Sequence, residues 1–87
     1  PITPAKEIAY NASKSALNAF TIHLAIELKD TNIKVNSGHP GWVKTELGGP
    51  NAPVEVEDSY KTSLRLATLE DDGPSGGLFH ENETIPW

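Results

Sequence analysis

The chain has 87 residues, enough for one domain or part of one. It contains no cysteine, which excludes a disulfide framework and a Cys-based zinc site, and its three histidines, His23, His39 and His80, lack ligand spacing. A formal net charge of −5 with scattered basic residues argues against nucleic acid as a partner, and no apolar stretch nears the ~20 residues of a membrane span.

Residues 1–8, "PITPAKEI", carry two prolines and read as a loop entering a helix. From about Ala9 to Lys29 the pattern is helical, with Leu17, Phe20, Leu24 and Leu28 in one stripe. A second stripe, Ala12, Ala16, Ala19, His23 and Ile26, runs beside it, and Asn11, Asn18 and Lys29 leave only a narrow polar wedge. A helix apolar on two sides needs two neighbours. One is its own sheet; the other is a further helix, such as one from a second subunit. Asp30, Thr31 and Asn32 end the helix with turn-forming side chains. "IKVNS", residues 33–37, alternates apolar and polar and predicts a short strand. A helix running into a strand is half of a βαβ crossover, which points to a parallel α/β sheet.

"GHPGWVKTELGGPNAP", residues 38–53, holds four glycines and three prolines and reads as a long loop of the kind that carries function. Residues 54–70 predict a second helix, with Glu55, Glu57 and Asp58 near its positive end and Val56, Tyr60, Leu64 and Ala67 on its buried side. "DDGPSGG" is a turn, "LFH" a candidate last strand, "ENE" a turn and "TIPW" an apolar end. With no methionine and a loop-like start, we expect the chain to be the tail of a longer polypeptide. Absent a secretory pattern, we expect it in the cytoplasm, and read the sequons Asn11-Ala12-Ser13 and Asn82-Glu83-Thr84 as chance matches.

Tyr10 and Lys14 stand four apart on the first helix, so they share a face. Acid–base work by a phenol near neutrality asks for about 4 kcal/mol of extra stabilisation of its ionised form. A cation about 4 Å away supplies roughly that at an effective dielectric of 20, provided water is partly excluded. The bland reading of the same pair is a surface lysine stem packed over a tyrosine ring. Small neighbours, Ala9, Ala12, Ser13, Ser15 and Ala16, let a ligand or chain come close. The glycine-rich loop follows the next strand, where open α/β sheets place ligands.

The strings "YNASKSALNAF" and "IKVNSGHPGWVKTEL" strongly resemble the short-chain dehydrogenase/reductases. The family's Tyr-x-x-x-Lys motif falls on Tyr10 and Lys14, and its Pro-Gly-x-Val-x-Thr loop on Pro40, Gly41, Val43 and Thr45, in family order. The ending "GGLFHENETIPW" resembles carbonyl-reductase-like members. The resemblance implies the C-terminal part of a Rossmann-like doubly wound parallel sheet, with residues 1–87 as the catalytic portion and the N-terminal cofactor-binding half absent. It implies Tyr10 as catalytic acid/base, assisted by Lys14, which also bonds the nicotinamide ribose. The backbone around Pro40, Gly41 and Val43 would hold the carboxamide, and Thr45 would reach the carboxamide or pyrophosphate. The cofactor would be NADP or NAD, and the substrate a small-molecule carbonyl or alcohol. In many relatives the long helix packs on its copy, so the stripe Ala12 to Ile26 is a candidate homodimer surface through helix 9–29.

The family's glycine-rich turn has no counterpart here; "GGP" (48–50) and "GPSGG" (73–77) neither follow a strand nor open a helix as required. The catalytic serine and active-site asparagine lie upstream of the tyrosine in the family, and Thr3, Asn11 and Asn18 do not replace them. The fragment alone is therefore expected to be inactive. The rival reading is a non-catalytic truncated helical interaction module. His39 lines the site or is a hydrogen-bonded loop histidine; Trp42 is a lid aromatic or an anchor; His23 reads as an interface or core histidine. Glu81 and Glu83 read as a solvated pair, and the 48–50 glycines as a flap hinge or a plain turn.

Overall fold

The computed structural model describes residues 4–87. Helix α1 spans Pro4–Glu27, a rod of about 36 Å. It starts earlier than the expected Ala9, so residues 4–8 are helical rather than loop, and residues 1–3 lie outside the described residues. Pro4 opens it at a position where a missing N–H is no loss, and Ala5, Lys6 and Glu7 are all good helix formers. The end falls where the turn residues place it. The Thr31 amide and hydroxyl both donate to the Leu28 carbonyl, at 3.0 and 2.6 Å, and the Thr31 hydroxyl accepts the Ile33 amide at 3.1 Å.

The sheet has three short strands in the order β1-β2-β3: β1 Ser37–Gly38, β2 Leu78–His80 and β3 Glu83–Ile85. β1 and β2 are parallel, with Ser37 opposite Leu78 and Gly38 opposite Phe79. β2 and β3 are antiparallel, pairing Leu78 with Ile85 and His80 with Glu83. The expected strand over 33–37 thus shifts to its C-terminal end. Extended pairing does begin earlier: Val35 N–H donates to Ser75 Oγ at 3.0 Å and Gly76 N–H to the Val35 carbonyl at 2.7 Å. Asn36, however, uses its side-chain amide to bridge Pro74 O and Gly77 N–H, so side chain replaces main chain in that rung. The "TIPW" end is no mere tail; Glu83, Thr84 and Ile85 fold back through a two-residue turn as β3.

The expected second helix over 54–70 is broken. Val54 makes a parallel bridge with Val43, and Glu55 is extended (φ −68°, ψ 150°) with its carboxylate 2.7 Å from Lys44 Nζ. A single 3-10 turn covers Val56–Asp58, closed by Ser59 Oγ on the Val56 carbonyl, and helix α2 runs only from Lys61 to Ala67. Its buried side is also not the expected one. Val56, Tyr60, Leu64 and Ala67 are exposed, while Thr62 is buried and Arg65, Leu66 and Leu69 half-buried. Thr62 can be buried because its hydroxyl accepts the Glu81 amide at 2.8 Å, and Arg65 lies over the Phe79 ring at 5.2 Å.

Strand alternation sends successive side chains to opposite faces. Ser37 points to α1, where its hydroxyl meets Thr21 Oγ1 at 2.7 Å in a buried contact. Gly38 turns the other way, and a Cβ there would sit 3.2 Å from Leu66 and 3.4 Å from Thr62 of α2. Phe79, opposite Gly38, is on the α2 face; Leu78, opposite Ser37, is on the α1 face. The two helices therefore cover opposite faces of the sheet, the doubly wound arrangement. The core is thin: among the described residues only Ala52 and Phe79 are buried apolar side chains. Among the same residues no helix is long and apolar enough to cross a membrane.

Candidate active site

α1 seats on the sheet along a line between its two expected stripes. Thr21 is buried and Asn18, Ile22, Leu24, Ala25 and Leu28 half-buried, while Leu17, Phe20 and Ile26 stay 49%, 63% and 58% exposed. The Thr21 hydroxyl donates to the Leu17 carbonyl at 2.8 Å, satisfying itself within the helix. Its single proton is then spent, so Ser37 is the donor in the buried 2.7 Å bond between the two hydroxyls. Seven residues are about two helical turns. Lys14 therefore lies on the same line as Thr21, and the Thr21–Ser37 bond sets the roll of the helix that carries it.

The result is a cavity of about 330 Å³ lined by Tyr10, Lys14, Leu17 and Asn18 of α1, the run Ser37 to Gly41 and Leu78. It lies beyond the carboxyl end of β1, where open α/β sheets bind ligands. Lys14 Nζ stands 5.4 Å from the centroid of the Tyr10 ring, so ammonium and phenol occupy one side of the helix. Tyr10 is 56% exposed and Lys14 is exposed as well. In water the same cation offers only about 1 kcal/mol at 4 Å, so the full effect awaits something that covers the pair.

Of the residues singled out by sequence, Tyr10, Lys14, Pro40 and Gly41 converge on this cavity. Val43 and Thr45 lie outside its lining, on the strap that follows. Val43 is held by its bridge to Val54, and Thr45 turns the chain, its hydroxyl accepting the Gly48 amide at 3.1 Å and its carbonyl the Gly49 amide at 2.8 Å. His39 is both of the things expected of it: it lines the cavity and its Nδ1 accepts the Gly41 amide at 2.8 Å. Asn18, Ser37 and Leu78 were not foreseen as lining. The spacing Tyr10–Lys14–Asn18, four and four, was the signal for Asn18. Ser37 lines the cavity with its proton committed to Thr21, which leaves it no free donor for a substrate oxygen. Trp42 is exposed, its indole N–H tied to the Gly48 carbonyl at 2.6 Å, which fixes the strap rather than the cavity.

The volume suits one end of a dinucleotide. Small-molecule sites start near 300 Å³, so the cavity accepts a ring and its sugar, not two nucleotides. The three glycines with positive φ, Gly41, Gly49 and Gly76, do not open a helix, so the described residues offer no glycine-rich phosphate turn. The donor set, an ammonium and a phenol against a backbone turn, fits a neutral amide-bearing ring with a hydroxylated sugar.

A sequence profile of the short chain dehydrogenases matches residues 3–55. The chain is 34% identical over 80 residues to the C-signal of Myxococcus xanthus, covering 91% of this chain and 48% of that one. It is 32% identical over 87 residues to carbonyl reductase (NADPH) 1 of Oryctolagus cuniculus, covering 93% of this chain and 31% of that one. Among solved structures, the carbonyl reductase Sniffer of D. melanogaster superposes with a TM-score of 0.74 at 37% identity, over 91% of this chain and 32% of that one. The chain thus spans half or less of the length of these proteins. Its fold is the C-terminal part of a Rossmann-like doubly wound parallel sheet, with β3 added antiparallel at the edge.

Proposed function

The chain belongs to the short-chain dehydrogenase family, and from that premise we propose that it is the acid–base portion of an NAD(P)-dependent oxidoreductase that reduces small carbonyl compounds. Residues 1–87 form the catalytic part of a domain whose cofactor-binding half lies upstream. The observation that carries the reading is the convergence of Tyr10, Lys14, Pro40 and Gly41 on one cavity at the end of β1.

The nicotinamide, when bound, supplies the hydride. Tyr10 gives its phenolic proton to the carbonyl oxygen as negative charge develops there, or takes one from an alcohol in reverse. Lys14 stabilises the phenolate and donates to the ribose hydroxyls. The backbone of Pro40, Gly41 and Val43 would orient the carboxamide, and Thr45 would reach the carboxamide or pyrophosphate. The residues that would bind the rest of the cofactor, and a free hydroxyl to polarise the carbonyl, have no counterpart among the described residues. The isolated chain is therefore inactive, and its affinity for NADPH weak.

In a polypeptide that carries the upstream segment, Tyr10→Phe abolishes carbonyl-dependent NADPH oxidation while the circular dichroism spectrum is unchanged. Undiminished turnover would remove Tyr10 from the mechanism, and tight NADPH binding by the 87-residue chain alone would overturn its inactivity. A second reading, a non-catalytic helical interaction module, draws on the exposure of Leu17, Phe20 and Ile26 on α1. The first reading's candidate homodimer stripe, Ala12 to Ile26, shares Ile26 with that surface, so exposure does not separate the two readings and the Tyr10 variant does.

A further inference from the structure

We propose that His80 is a positioning residue that latches the Pro40–Gly41 turn, and that His39 and His80 hold opposite neutral tautomers to do so. The latch stands on hydrogen bonds alone; what the turn holds rests on the site reading above. A backbone carbonyl only accepts, so the 2.9 Å contact between His80 Nδ1 and the His39 carbonyl oxygen puts a proton on His80 Nδ1. A backbone amide only donates, so the 2.8 Å bond from Gly41 N–H leaves His39 Nδ1 bare and places the proton of neutral His39 on Nε2.

His39 is then held at three points: its amide by the Phe79 carbonyl at 2.7 Å, its carbonyl by His80, its ring by Gly41. The two imidazoles meet edge to face, centroids 6.0 Å apart and planes at 84°. The His80 ring also fills the space over Gly41, where a Cβ would come within 2.6 Å of His80 Cε1. The turn has few other restraints, since Pro40 has no N–H to give. β1 delivers His39 and β2 delivers His80, so the parallel strand pair itself closes the latch. The turn lines the cavity beside Tyr10 and Lys14, so the latch governs where a ligand's ring sits rather than the proton transfer.

Nitrogen-15 NMR of the histidine-labelled chain reads the tautomers. The expected spectrum shows a pyrrole-type Nδ1 on His80 and a pyrrole-type Nε2 on His39; an Nε2-protonated neutral His80 overturns the proposal. His80→Phe keeps a ring without the donor, and His80→Asn keeps a donor near the Nδ1 position. Exchange of the Gly41 amide rises about tenfold in His80→Phe, the worth of one hydrogen bond, and returns close to wild type in His80→Asn. Exchange unchanged in His80→Phe, or raised equally in both variants, overturns the latch. In a polypeptide that oxidises NADPH, His80→Phe raises the cofactor KM with kcat little changed, and His80→Asn restores it. Correct tautomers with no KM effect would count against the nicotinamide reading of the turn and leave the latch intact.

Discussion

Tyr10 and Lys14 show how little a pair of side chains decides without its surroundings. Their placement on one helix face is fixed by spacing, and the 5.4 Å approach of the ammonium to the ring follows, yet both stand in water. Gly41 is the more demanding residue. Its φ of +84° is a left-handed conformation, and a Cβ would press on His80 and come within 3.0 Å of Val54. Gly41→Ala should therefore destabilise the chain by about 2 kcal/mol, strain and clash together, visible as a lower denaturation midpoint. An unchanged midpoint would mean that the turn relaxes freely. Lys61 titrates at the opposite extreme of exposure. The hydrogen bond that Lys61 donates to the Asp58 carboxylate, and then the charge of that carboxylate, raise the Lys61 ammonium above its ordinary 10.5. A raised basic group adds stability that is fully present below the unfolded value and is lost as pH rises through the folded one. Lys61→Met should thus melt below wild type at about pH 8 and match it at about pH 12, with the gap shrinking in salt because the pair is exposed. A gap that grows with pH would reverse the sign of the assignment.

Between elements, two buried threonines do what the apolar stripes were expected to do. Thr21 joins α1 to one face of the sheet through Ser37, and Thr62 joins α2 to the hairpin through the Glu81 amide. Thr21→Val leaves the Ser37 hydroxyl buried without a partner and should cost about 1–3 kcal/mol; adding Ser37→Ala should recover part of that loss. Strict additivity in that cycle would show the two hydroxyls to be uncoupled. These anchors explain where sequence reading failed. Hydrophobic periodicity ranks threonine as polar, so it centred α1 on Leu17 and Phe20 and α2 on Tyr60 and Leu64, all of them exposed. It also missed that Val54 would pair with Val43 and break the second helix, because an isolated bridge between distant residues leaves no local signature. Local chemistry was legible: the Asp30–Asn32 stop, the Leu78–His80 strand, and the glycine-rich loop that lines the cavity with Tyr10 and Lys14. Asn18 was signalled only by its four-residue spacing from Lys14, and Ser37 and Leu78 left no signal, since only the register of β1 on β2 and the seating of α1 bring them to the cavity.

For the molecule as a whole, surface is the deciding quantity. A compact monomer of this size exposes roughly 5,000 Å², whereas this chain exposes 6603 Å². Its radius of gyration is 14.8 Å, against about 12 Å for a compact chain of equal length. The excess is about twice the ~800 Å² that each partner of a standard interface buries. Much of it lies on α1, whose Phe20 and Ile26 stay exposed. Burying apolar surface yields about 25 cal/mol per Å², so covering a helix this bare, by a second copy for instance, is favourable. For the second copy the consequence is specific. The 87-residue chain should sediment as a dimer at micromolar concentration, and Phe20→Glu, which places a charge in the middle of the exposed face, should shift it to monomer by at least tenfold in dissociation constant. A chain that stays monomeric at every concentration, with the α1 amides still protected from exchange, would show that the helix holds without a second copy.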